Sequence, residues 1–239
     1  MMRIWTLTLF LIRDLFRSLA GVVPLAAALA FGLIAFEYGM DQTQYFTVTG
    51  VGTGAICLLT GLLLASRANR ASSYVLVARL PWRGELLAAL VVGSLLITAA
   101  LTLLITGGNL LAHRLTLEFP SVLWILPTWL PFWLLMATLA LPLSPLAGQS
   151  GSEIVGWVLL TALLVANDQK ARLQERGLDW LVQAITAILW PVNMLLSQAS
   201  AGIHGRSYFL ALALTLAYAG LAFGLAVSSL ASKDLLWAE

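Results

Sequence analysis

Charge is what this sequence has least of. Lysine and arginine number 13 and aspartate and glutamate 11 in 239 residues, 10% together, where soluble domains carry about 25%. The lysines are Lys170 and Lys233, the histidines His113 and His204, and the one cysteine is Cys57. A lone cysteine excludes a disulfide within the chain and a zinc cluster; inside an apolar run it reads as a small buried hydrophobe. A net charge of +2 is too small to bind nucleic acid. The phosphate-cradling pattern G-x-x-x-x-G-K-[ST] is missing, and neither lysine follows a glycine-rich loop. This chain therefore does not hydrolyse ATP in the P-loop manner. The histidines flank the apolar runs, which disfavours haem held between helices. The centres of the longest runs hold no Asp, Glu, Lys or Arg, and Glu37 and Glu153 sit at edges. That disfavours a proton or ion relay, which needs titratable stations in the membrane. Residue sets for intramembrane proteolysis are missing too. The N-terminal stretch scatters Arg3, Arg13, Asp14 and Arg17, so no cleavable signal peptide is expected.

What remains is apolar. Hydrophobic residues make up 60% and mean hydropathy is +0.92, more than one soluble core can hide. The solvent for most of the chain is lipid. Runs of about 20 apolar residues mark spans. Six are expected: Leu19–Phe36, Phe46–Ala65, Leu86–Leu111, Val122–Leu146, the short Ile154–Ala166, and Ser207–Leu230. The fourth holds Pro127, Pro131, Pro142 and Pro145, which predicts kinks. Trp180–Gln198 carries Gln183, Thr186, Asn193 and Ser197 on one helix face, with Pro191 inside. It reads as a re-entrant hairpin broken at Pro191, with a full span as the alternative.

Six spans place both termini on one side. With the N-terminus inside, the inner side holds eight basic residues and the outer side five, in the sense of the positive-inside rule. Lys170, Arg172 and Arg176 dissent, because they have an inner-side look.

The segments between spans have their own pattern. On a wheel of about 100° per residue, Arg3, Thr6, Arg13, Asp14 and Arg17 share an arc of roughly 100°. Residues 1–18 therefore read as an interfacial helix, with Arg3, Trp5, Arg13 and Arg17 at the membrane surface. Gly21 and Pro24 predict a break before the first span. Between spans two and three, Ser66–Glu85 holds four of the 13 basic residues and no acid before Glu85. It reads as a positive-inside anchor with an interfacial Trp82, or as a docking surface for a soluble partner. Gly50 and Gly54 form a G-x-x-x-G, which suits close helix packing. Trp124, Trp129 and Trp133 read as interface anchors.

Taken together, this layout resembles the membrane permease subunits of ABC transporters of the type-2, exporter-like class. Arg79-Leu-Pro-Trp-Arg-Gly-Glu-Leu86 resembles the leucine, proline and arginine stretch that leads into that family's third span. The resemblance implies an all-α polytopic protein forming one transmembrane domain over 1–239. Its parts would be an elbow helix over 1–18, a cytoplasmic coupling segment over 66–85, and an outer loop over 168–206 with a re-entrant hairpin. Residues 71–78 would be the coupling helix. The implied partner is a cytoplasmic nucleotide-binding ATPase subunit docking on Arg67, Arg70, Tyr74, Arg79, Pro81, Arg83 and Glu85, with ATP bound there and no cofactor on this chain. A second permease copy or paralogue would complete the path. The family's acidic-glycine-threonine start to this segment is replaced by Arg67–Ser73. The implied function is export of an apolar or amphipathic substrate across a bacterial-type inner membrane, with both termini cytoplasmic and no enzymatic site here. The alternative is a structural or assembly subunit of a respiratory, photosynthetic or cytochrome-maturation complex, the last with His113 or His204 as outer haem contacts.

Overall fold

A computed structural model of the chain describes residues 2–37, 42–69, 82–112, 119–146, 154, 157–158, 169–200 and 205–232. Among them the chain is helical, with no strand. The helices are α1 (Met2–Phe16), α2 (Val22–Glu37), α3 (Gln42–Ala68), α4 (Gly84–Leu111), α5 (Phe119–Ala140), α6 (Lys170–Glu175), α7 (Asp179–Ser200) and α8 (Arg206–Ser232). The helices α3, α4, α7 and α8 are each long and apolar enough to cross a bilayer. The pair α1–α2 passes the same test together, bent by 94°. A multi-pass membrane protein follows from this set.

The bend has a local cause. Ser18 turns the chain, its hydroxyl donating to the Leu15 carbonyl at 2.7 Å. A 3-10 turn over Leu19–Gly21 leads into α2. Any Cβ on Gly21 would lie 2.8 Å from the Leu15 oxygen, so only glycine lets the turn fold back so closely. Pro24 then falls in the first turn of α2, where a missing N–H costs nothing.

Helix α3 is the centre of the bundle, packed on α5, α4, α7, α2 and α1. Gly50, Gly54 and Gly61 line its α5 side. A Cβ at Gly50 would meet the Trp129 indole nitrogen at 2.8 Å, and one at Gly61 the Ala140 Cβ at 2.7 Å; one at Gly54 would run into the Phe132 ring. Contacts at 50–129, 54–132 and 61–140 climb together, so α3 and α5 run parallel. Tyr45 donates to Thr106 at 2.8 Å and Gly93 meets Leu64, so α4 runs antiparallel to both. The start of α8 lies beside the first half of α5, where the Thr128 and Tyr208 hydroxyls are 3.0 Å apart. The last third of α7 reaches the same end, with Leu196 against Gly50 and Leu195 clustered with Tyr208.

Three expectations are corrected. Trp129 and Trp133 are not interface anchors: they are 1% and 4% exposed and donate to Phe46 O and Thr53 Oγ1 at 3.2 and 3.0 Å. Gly50 leaves the hollow that the Trp129 ring fills, and Gly54 the one that Phe132 fills. Trp124 has no described side chain. The hairpin break at Pro191 is not there, because α7 runs continuously from Asp179 to Ser200. One lost backbone bond does not end a helix supported by neighbours in lipid. The fourth run also ends earlier, at Ala140, with Pro142 and Pro145 in the turns after it. Of the fifth run, Ile154–Ala166, only residues 154, 157 and 158 are described.

Candidate functional site: the arginine end of the bundle

The site expected from sequence lies where α3 ends and α4 begins. Arg67 sits in the last turn of α3 and Asp14 in the last turn of α1. The Arg67 Nε donates to Asp14 Oδ2 at 2.7 Å, with the side chains 13% and 42% exposed. The Thr8 hydroxyl, buried on α1, bonds to the Ile4 carbonyl at 2.9 Å and reaches the Ala89 carbonyl of α4 at 3.3 Å. Arg83, just before α4, donates to the Leu230 carbonyl at 2.9 Å. The bond joins the start of α4 to the last described turn of α8. These bonds tie α1, α3, α4 and α8 together at one end. Arg3, Arg13, Arg17, Arg67 and Arg83 gather there, whereas Arg206 starts α8 at the opposite end.

Helix α1 has three faces rather than the two read from the wheel. Leu7, Thr8, Leu11 and Leu15 are buried against the bundle. Trp5, Leu9 and Phe16 are apolar and exposed, and Arg3, Arg13 and Arg17 are exposed on the third face. At about 100° per residue the faces lie roughly a third of a turn apart.

The expected docking residues divide into groups. Arg70, Tyr74, Arg79 and Pro81 lie outside the described residues. Arg67 and Arg83 are engaged within the chain, so their charges serve the bundle. Glu85 stands in the first turn of α4, where a carboxylate suits the helix dipole. It is half-buried, and its Oε2 has no partner among the described residues. Trp82 is 54% exposed and shields Gly84, where a Cβ would strike its ring.

Sequence reading missed a hydroxyl seam between α3 and α4. On α3 it runs Tyr45, Thr49, Thr53, Cys57, and on α4 Ser94, Thr98, Thr102, Thr106, each set in steps of four. That spacing was the available signal. Thr53 and Ser94 bond back to their own helices at Thr49 O and Leu90 O, 2.6 and 2.9 Å away. The Cys57 thiol donates to the Trp133 carbonyl at 3.3 Å. Thr49, Thr98 and Thr102 are buried; Thr49 lies beside Tyr45 and Thr98 beside Cys57, and the Thr102 hydroxyl has no partner among the described residues.

Between α2 and the second half of α4 lies an apolar groove of about 310 Å³, lined by Leu29, Gly32, Leu33, Leu101 and Ile105 with Asn109 at its end. Among the described residues no three metal-ligating side chains gather. Comparison with known proteins returned nothing: no protein-family model, no curated protein and no solved structure matches this chain.

Proposed function

We propose that this chain is the membrane-spanning permease subunit of an ATP-driven transporter of the type-2, exporter-like ABC class. One observation carries the reading. The two long helices flanking residues 70–81 are bonded at that end to α1 and α8, through Asp14–Arg67, Thr8–Ala89 and Arg83–Leu230. A push on the intervening segment would move four helices as one body. That is the mechanical requirement on a subunit powered by contact with an ATPase. The three-faced α1 supports an elbow helix, with arginines to water, Trp5 and Phe16 to lipid, and Leu11 and Leu15 to the bundle. The groove between α2 and α4 supports an apolar or amphipathic substrate.

The topology we propose has six crossings, with α7 as the fifth. α2 leads away from the arginine end, α3 returns, α4 leaves and α5 returns. Because α8 starts at the far end, one crossing lies between α5 and α8. A helix of 22 residues is about 33 Å long, enough to span the hydrocarbon, and the C-terminal third of α7 packs at that far end. Ile154–Ala166 then stays on the arginine side. Lys170, Arg172 and Arg176 join it, leaving only Arg114 and Arg206 of 13 basic residues outside. This topology removes the dissent in the positive-inside pattern.

The test is capture of the powering subunit. Tagged protein extracted in mild detergent is expected to bring down a nucleotide-binding subunit in equal amounts. Arg79→Glu should release it, with the thermal stability of the purified variant measured alongside to separate lost docking from lost folding. Arg83→Glu is the poorer probe, because that side chain also holds Leu230. Extracts containing this chain with no nucleotide-binding partner, with and without ATP, would overturn the proposal.

A further inference from the structure

Helix α7 differs from the other long helices. On α3 and α4 the hydroxyls of Thr49, Thr53, Ser94, Thr98 and Thr102 are buried inside the bundle, and α8 shows little segregation of polar from apolar residues around its circumference. α7 carries Asp179, Gln183, Thr186, Trp190, Asn193 and Ser197, at steps of 4, 3, 4, 3 and 4. On the wheel these six occupy an arc of roughly 80°. Trp190 is half-buried and the other five are exposed. The buried side of the helix, with Ile185, Leu195 and Leu196, faces elsewhere. Gln183, Thr186 and Asn193 make no side-chain hydrogen bond among the described residues. In hydrocarbon such groups need a partner.

The alternating four–three step is the 3.5-residue period on which two helices pair through a left-handed seam. The amides and hydroxyls of Gln183, Thr186, Asn193 and Ser197 both donate and accept, so this part of the stripe is complementary to itself, with Asp179 left in the first turn of α7 beyond it. An isologous contact about a two-fold axis requires that property. An open cleft of about 500 Å³ between α6 and the first half of the stripe leaves room for side chains of a facing helix.

We infer that a second copy of this chain covers the stripe, with α7 packed against α7 in parallel and the polar residues hydrogen-bonded across the axis. The inference deepens the two-copy permease reading and rests on α7 crossing the membrane. It assigns the contact between the two halves to a polar seam rather than to the α2–α4 groove.

The test uses full-length protein in its membrane with Cys57→Ala, which removes the only native thiol. Thr186→Cys and Asn193→Cys are expected to form disulfide-linked homodimers on mild oxidation, each residue meeting its own counterpart. Ile188→Cys, exposed on the opposite side of α7, should stay monomeric. In reconstituted vesicles, Gln183→Leu and Asn193→Leu should each weaken association by about 3- to 30-fold, the range for polar contacts between membrane helices. The inference is overturned if the seam cysteines link to a different protein, or if Ile188→Cys links equally well. Labelling of residues 186 and 193 by a charged, membrane-impermeant thiol reagent without dimers would make the stripe a water-filled path and overturn it too. Dimers that form without any nucleotide-binding partner support the inference and count only against the power source, so the two readings fail separately.

Discussion

Moving one methyl group across the α3–α5 contact gives a quantitative test of the packing. A Cβ on Gly61 would sit 2.7 Å from the Ala140 Cβ, with the Ser94 oxygen at 3.3 Å. Carbon atoms in contact prefer about 3.5–4.0 Å, so Gly61→Ala must open the helix pair by about 1 Å. Neither methyl group has a rotamer to escape into, and Ala140 is fully buried. Overpacking of this kind costs about 1–3 kcal/mol, against about 1 kcal/mol returned by the better helix propensity of alanine. A net loss of up to about 2 kcal/mol lowers Tm by as much as roughly 8 °C for a chain of this size. Ala140→Gly alone should also lose about 1 kcal/mol. The double variant exchanges the two groups across the interface and should return to within about 0.5 kcal/mol of the parent. Cys57, buried one turn from Gly61 on α3, supplies the readout: a maleimide dye that fluoresces on thiol attachment reports unfolding on heating. Gly220→Ala, where a Cβ meets nothing within 4 Å, is the control and should leave Tm unchanged or raised. A raised Tm in Gly61→Ala, or a double variant no more stable than the sum of the two single changes, would refute the contact.

Other outcomes follow from the arginine end, the seam and the topology. Asp14→Ala and Arg67→Ala should each lower stability by about 1 kcal/mol, since the pair is half-shielded from water, and the double variant should cost less than their sum. Thr102→Val keeps shape while deleting a buried hydroxyl that has no partner among the described residues, so it should raise Tm by a few degrees; a fall would mean the hydroxyl is bonded. Single cysteines at positions 75 and 172 should be labelled from the same side of the membrane and one at 116 from the other. Labelling of 172 together with 116 would restore Ile154–Ala166 as the crossing.

Much of the membrane architecture was legible because lipid makes a crude demand that a sequence cannot disguise. The second, third and sixth apolar runs became α3, α4 and α8, extended by up to four residues at an end, as where α3 runs on through Arg67. The break after the N-terminal helix followed from Gly21 and Pro24, both local in their effect. What stayed illegible depends on distant partners. Asp14 lies 53 residues from Arg67, and Leu230 is 147 residues from Arg83, so no spacing rule announces either bond. Trp129 and Trp133 look like anchors by composition, and only the hollow at Gly50 and the Thr53 hydroxyl draw them inward. Pro191 misled in the opposite direction, since a local rule about helix breaking yielded to support from neighbouring helices. The polar stripe of α7 was half legible: its residues could be counted, but which way they face depends on the fold.

The bond from Arg83 to Leu230 also sets an order of assembly. Arg83 leaves the ribosome long before its acceptor exists, so the first half of the bundle inserts with that guanidinium waiting at the membrane surface. Arrival of the final helix closes the account and locks early and late segments together. A chain stalled or truncated before Leu230 lacks the acceptor of this bond, so its earlier helices lose that tie to the last one.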